Sequence, residues 1–205
     1  MGNVKNATSA PARERILEAA ATALTQRGYS ATGLNEIIQK SGAPKGSLYH
    51  YFPEGKEQLA VEALAYSTRE WFLMLHSIMY AANDVPTAIR NVCKEMAKQL
   101  KKSNWENGCP IATVTLEVAS TIPAIQQAAD NHWKDWHTAI REYFTLHNLH
   151  VSDAMITTSI AAFEGALLLS RAHRSEEPLL QIGETLAMLI ETLPMRQNPE
   201  GQKKE

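Results

Sequence analysis

Cysteine is scarce in this chain. Cys93 and Cys109 are the two present in 205 residues, too few for a disulfide framework and in keeping with thiols kept reduced in a cytoplasm. No apolar run reaches the ~18 residues that a membrane span needs. Met1 to Ala12 is polar and lacks the apolar core of a secretory signal. The expected location is therefore cytoplasmic, with no membrane partner. Neither a Gly-x-Ser-x-Gly nucleophile elbow nor a glycine-rich phosphate loop occurs, so no catalytic residue and no cofactor are expected. His147-x-x-His150 has a spacing that can ligate metal, but it lies at a helix end and lacks a third ligand. His132 and His137 fall on different faces of one helix. No metal is expected. No stretch reads as a convincing strand, and no internal repeat is visible.

What is present is an ordinary globular balance, 44% hydrophobic and 20% charged, in a chain long enough for one or two domains with a sizeable core. Charge is unevenly spread. Residues 1–56 carry seven Lys/Arg against four Glu, and the remainder carries 13 basic and 18 acidic residues. A basic head on an acidic body suits phosphate contact at one end. Met1 to Pro11 reads as a disordered arm, and its Lys5, with Arg13 just beyond, could touch a minor groove.

The chain is organised around Gly42-Ala43-Pro44-Lys45-Gly46-Ser47-Leu48-Tyr49-His50-Tyr51-Phe52. A turn signal leads into a very short helical pattern, for which Pro44 suits the first position. Leu48 and Phe52 form the inward face. Lys45, Gly46, Ser47, Tyr49, His50 and Tyr51 are left outward, a set of donors that suits phosphates and base edges. Before it, Gly33 to Ser41 reads as a two-turn helix with Leu34, Ile37 and Ile38 inward and Gly42 at its C-cap. Helix, glycine turn and short second helix is a helix-turn-helix layout, whose second helix enters the major groove.

Gly28-Tyr29-Ser30-Ala31-Thr32, then Ile37, Gly42, Lys45 to Phe52 and Lys56-Glu57 resemble the N-terminal domain of TetR-family repressors over roughly residues 13 to 65. The resemblance implies an all-α fold. An N-terminal three-helix helix-turn-helix domain, residues 1–55, precedes a larger helical effector-binding and dimerisation domain, residues 56–205. It also implies a homodimeric repressor that binds a palindromic double-stranded operator and is released by a small, largely apolar effector. Carried over by position, Thr32, Lys45, Gly46, Ser47, Tyr49, His50, Tyr51 and Lys56 are the DNA-contact set. Lys45, Tyr49, Tyr51 and Lys56 would hold phosphates, and Gly46, Ser47 and His50 would lie closest to bases.

Three departures from the family pattern stand out. Gly33 replaces a capping hydroxyl before Glu36. Pro44 stands where relatives often place a Ser. Gly55 lengthens the link to Lys56 by one residue. Together with Gly108-Cys109-Pro110-Ile111, these features resemble the branch that includes repressors of multidrug-export and flavonoid-degradation operons.

Beyond Lys56 the helical period persists. Helices are expected from Lys56 to about Ala81, from Val85, over Ile111 to Ala119, from Pro123 to about Asn148, over 153–173 and from Ser175 to about Leu193. The tail from Pro194 is polar. The inward residues Trp71, Leu75, Met96, Trp133, Trp136, Ile140, Phe163 and Leu167 are either plain core or the lining of an apolar pocket. The TetR resemblance favours a pocket. The last two helices are apolar on two sides, which implies deep burial or a partner. Ala161, Gly165, Leu168 and Ala172, with Leu186, Leu189, Ile190 and Leu193, are the expected dimer interface. Cys109, in a predicted break, reads as an incidental thiol rather than a redox sensor. An all-α enzyme would need a nucleophile or metal constellation. A helical protein-interaction module would leave the donor-rich short helix unexplained.

Overall fold

A computed structural model describes residues 10–193 of the chain. Among these residues there are nine α-helices and no β-strand: α1 Ala12–Arg27, α2 Leu34–Ser41, α3 Ser47–Tyr51, α4 Lys56–Tyr80, α5 Val85–Lys102, α6 Pro110–Val118, α7 Pro123–Leu146, α8 Asp153–His173 and α9 Glu177–Glu191. The expected arm with Lys5 and the expected polar tail lie outside the described residues. Packing divides the chain into two compact units whose bounds differ from the expected division at residues 55 and 56. One unit holds residues up to Met74 together with Glu106–Trp133, and the other holds Leu75–Trp105 with the residues from Lys134 onward. Helices α4 and α7 contribute to both.

The first unit is built on α1. Ile16, Leu24, Ile37, Leu48, Phe52, Leu59, Leu64, Ile111 and Ile125 are almost wholly buried and form one core. Gly28 ends α1 with φ +76°, a backbone conformation that other residues adopt only with strain. A Cβ at Gly28 would also collide with the Glu117 carboxylate. That carboxylate, on α6, accepts the N–H groups of Tyr29 at 2.6 Å and Ser30 at 2.8 Å. These bonds hold its pKa below the usual carboxylate range against an opposing desolvation. Sequence periodicity places α6 with the later helices, whereas packing places it on the head. Where α7 meets α4 in this unit, His132 is buried with Nδ1 2.9 Å from the Thr68 hydroxyl. Burial lowers its pKa to about 4, so the ring is neutral at pH 7.

The second unit packs α5 closely on α9 and α8. Asp84 caps α5, its side chain accepting the Thr87 N–H at 2.7 Å. Arg90 donates to both oxygens of Glu184, at 2.8 and 3.0 Å, and to Glu191 at 3.1 Å. Gly183 lets α9 approach α5, because an added Cβ would lie 2.8 Å from Cys93 Cβ. Burial pushes the Cys93 thiol up to about 12, so it is a packing group and not a nucleophile. Gly183→Val should therefore destabilise the protein by about 1–3 kcal/mol through overpacking. Urea unfolding checks this, and an unchanged midpoint would mean that the two helices separate at little cost.

Helix α8 is long and apolar enough to cross a membrane by length and composition alone, although no unbroken apolar run occurs in it. Its apolar residues are interrupted by Thr157, Thr158, Ser159 and Glu164 and fall on two faces. Ile156 and Leu167 are buried on one face. Ala161, Leu168 and Ala172 are exposed on the other.

Candidate nucleic-acid interface

α2 ends where Gly42 adopts a left-handed conformation, φ +61° and ψ 17°, as the C-cap position demands. Ser41 Oγ donates to Ile38 O at 3.0 Å and accepts the Ala43 N–H at 3.2 Å, which fixes the turn. The short second helix starts later than expected. Pro44 is not its first residue; the Ser47 N–H bonds to Pro44 O at 2.9 Å, so Pro44 opens a turn. Gly46 is then the N-cap and Ser47 the first helical residue. The restricted φ of Pro44 serves that turn as well as it would have served a helix start.

Leu48 and Phe52 anchor α3 in the core, as the i, i+4 spacing requires. Lys45, Gly46, Tyr49 and His50 are exposed, and Ser47 and Tyr51 are half-buried. Tyr49 is 65% exposed, unusually open for an aromatic residue in a folded unit. His50 meets Tyr51 edge to face at 4.9 Å. A Cβ on Gly46 would meet nothing within 4 Å, so that face is open to a close approach. The structure thus brings six of the eight expected contact residues onto one short segment.

The other two are differently engaged. Thr32 is buried, and its hydroxyl donates to Gly28 O at 2.6 Å, so the side chain braces the α1–α2 turn from inside. It does not cap α2; Gly33 stands at the N-cap without a side-chain bond. Lys56 Nζ lies over the Tyr29 ring, 4.5 Å from its centroid, and 3.4 Å from Ser30 O.

Most cations of the basic head are likewise engaged within the chain. Arg27 and Lys40 both hold Glu36, at 2.6 and 2.9 Å. The hydrogen bonds from Arg27 and then Lys40 draw the Glu36 carboxyl down to about 2. Arg13 pairs with Glu62 and lies over the Phe52 ring. Arg15 donates to backbone carbonyls. Lys45 has no such partner among the described residues. Sequence reading missed the roles of Arg13, Arg15 and Glu117 because their partners lie 49, 26 and 88 residues away along the chain.

Of the residues expected around an effector, Leu75, Met96 and Leu167 are buried within the second unit. Trp136, Ile140 and Phe163 of that unit, and Trp71 and Trp133 of the first, are half-buried. Of the expected interface residues, Ala161, Leu168, Ala172 and Leu189 are exposed, and Gly165 and Leu186 half-buried. Ile190 is a correction: only 6% exposed, it packs with Val85, Tyr143 and Phe144 as core. Leu193 packs against the same cluster.

Comparison with known proteins agrees with this geometry. Residues 16–63 match the model of bacterial regulatory proteins of the tetR family, and residues 86–185 match that of the LmrA/YxaF-like transcriptional regulator C-terminal domain. The chain is 33% identical over 180 residues to the HTH-type transcriptional regulator LmrA of Bacillus subtilis, covering 87% of this chain and 96% of that one. It is 32% identical to the HTH-type transcriptional regulator YxaF of the same organism, over 87% and 94%. Among solved structures, regulatory protein TetR from Rhodobacter sphaeroides shares the fold with a TM-score of 0.75 at 20% identity, covering 86% of this chain and 97% of that one. A TetR-family regulator from Cytophaga hutchinsonii does so at 0.74 and 24%, over 90% and 96%.

Proposed function

Because the chain belongs to the TetR family of bacterial transcriptional regulators, non-enzymatic proteins with a DNA-binding helix-turn-helix, we propose that it is a repressor released by a small, largely apolar effector. It binds a palindromic operator as a homodimer. Residues 1–55 form the head that reads DNA, and residues 56–205 bind the effector and the second subunit.

The observation that carries the DNA reading is the exposed face of α3. Tyr49 and His50 are exposed on a helix of five residues, and Lys45 on the turn just before it, while Leu48 and the C-cap residue Phe52 are buried on the inner side. Lys45 and the Tyr49 and Tyr51 hydroxyls are suited to phosphates, and Gly46, Ser47 and His50 to base edges. Thr32 drops out of the set, and Lys56 contributes through the turn it holds. One short helix offers few base contacts, so a specific site needs two half-sites and a dimer. Gel-shift with the chain's own upstream DNA tests the reading directly.

Because the other described cations of the head are engaged internally, Lys45 should dominate the salt dependence of each half-site. Lys45→Ala should weaken binding to all sequences alike and lower the slope of log K against log salt by about 1 per neutralised phosphate. An unchanged affinity and slope across a salt series would remove Lys45 from the interface.

The stripe Ala161, Gly165, Leu168 and Ala172 on α8, with Leu186 and Leu189 on α9, is exposed apart from the half-buried Gly165 and Leu186, and it supports the dimer. It is apolar and rich in small residues, and a second copy of the same stripe would cover it.

A further inference from the structure

Arg15 counts in the sequence as one more cation of a basic head. Its geometry gives it a different task. From the first turn of α1 its half-buried guanidinium donates from Nε to Ser41 O at 2.9 Å and from Nη2 to Gly42 O at 3.4 Å. Nη1 donates to Ala10 O at 2.7 Å. Ser41 ends α2 and Gly42 caps it, so these are carbonyls without a partner inside the helix. Gly42 N–H satisfies only Gln39 O there. One planar fork therefore ties together three backbone points, namely the end of α2, the turn into α3, and the chain just before α1.

α3 is too short to orient itself. Five residues with Leu48 buried among them cannot fix the direction of His50 and Tyr49. The direction has to come from the two ends. At the far end Arg13 lies over the Phe52 ring, 5.6 Å from its centroid, and pairs with Glu62. At the near end Arg15 fixes the turn that leads into the helix. Base readout tolerates displacements of well under an ångström, whereas phosphate attraction does not depend on register so closely.

Resting on the DNA reading proposed above, we infer that Arg15 is a positioning residue for operator recognition, clamping the turn before the recognition helix to α1 without itself contacting a phosphate.

The test uses the full-length protein and a duplex that the wild type selects from a random-sequence pool, beside a scrambled duplex of equal length. Affinities are measured over a salt series well below the melting temperature of each variant. Arg15→Ala should bind the selected duplex about 10-fold or more weakly, on the scale of one lost base contact, and should leave the scrambled duplex and the salt slope unchanged. A general loss of folded protein would weaken both duplexes equally, so the ratio isolates positioning. Arg15→Lys keeps the charge but not the fork, and should lose most of the same discrimination.

If both duplexes weaken together and the slope falls by about 1, Arg15 is a phosphate contact and the inference is wrong. It is equally wrong if Arg15→Lys discriminates like the wild type. Should Arg15→Ala fail to fold, Arg15→Lys decides alone. A wild-type protein that selects no duplex from the pool would sink the DNA reading itself, and this inference with it.

Discussion

Gly165→Trp is expected to turn the dimer into monomers and to cost the protein its operator. The argument starts from what glycine does in that position. Inside a helix it is about 1 kcal/mol less favourable than Ala, and α8 carries it in mid-helix. No intrachain contact explains it, because an added Cβ at Gly165 would meet nothing within 4 Å. Its neighbours on the same face are Ala161, Leu168 and Ala172, all exposed, with Leu168 at 64%. Small residues flanking an open apolar stripe fit a partner helix at close range. A Cβ there has room in the isolated chain, and an indole extending from it would collide with a second subunit packed on this face. Operator affinity should fall by about 100-fold or more, towards the non-specific range, because each monomer then reads one half-site. Sedimentation at micromolar concentration and gel-shift measure the two effects. A wild type that sediments as a monomer would refute the dimer, and a Gly165→Trp protein that stays dimeric would move the interface elsewhere.

Local signals made most of the helices legible. α8 runs over the residues expected, because Ser152 caps it, its side chain accepting the Met155 N–H at 3.2 Å. The left-handed Gly42 and the inward Leu48 and Phe52 follow from residue type and spacing. The start of α3 was not legible, since Pro44 serves a turn and a helix start equally well. On α9 the buried residues are Leu179, Gly183, Ala187 and Ile190, whereas the sequence reading puts Ile190 with Leu186, Leu189 and Leu193 at the dimer interface. Residue type favours the leucines, whereas close packing on α5 selects Gly183 and Ala187.

The contact set was legible where it depended on α3 alone. It was not legible where distant residues decide. Thr32 turns inward because Gly28 O is within reach of its hydroxyl. The charge surplus of the head suggested many phosphate contacts, yet Arg13, Arg27, Lys40 and Lys56 are held by Glu62, Glu36 and Tyr29. Glu117 in particular shows no local signal. Its role follows from two amide N–H groups that lie 87 and 88 residues away in the chain.

Operator DNA and effector are expected to weaken each other's binding by one common factor, roughly 30- to 150-fold, a coupling of about 2–3 kcal/mol. The effector must prefer the conformation that does not fit DNA, since equal affinity for both shifts nothing. The proposed two-state element is α4, which starts at Lys56 directly after the head and runs for 25 residues. A change in its tilt would alter the separation of the two recognition helices. α6 would feel the same shift at the α1–α2 turn, which Glu117 grips. Half-buried side chains with apolar surface left to offer a ligand are Trp71 and Trp133 in the first unit and Trp136 and Phe163 in the second, and the three tryptophan indoles report binding by fluorescence. A flavonoid-like or drug-like hit from a screen should be titrated with and without operator. Linkage demands a weaker effector affinity in the presence of DNA by the factor measured for DNA in the presence of effector. Equal affinity in the two titrations would exclude release by that compound. Trp133→Ala should weaken effector binding, and undiminished binding by this variant would place the effector away from Trp133.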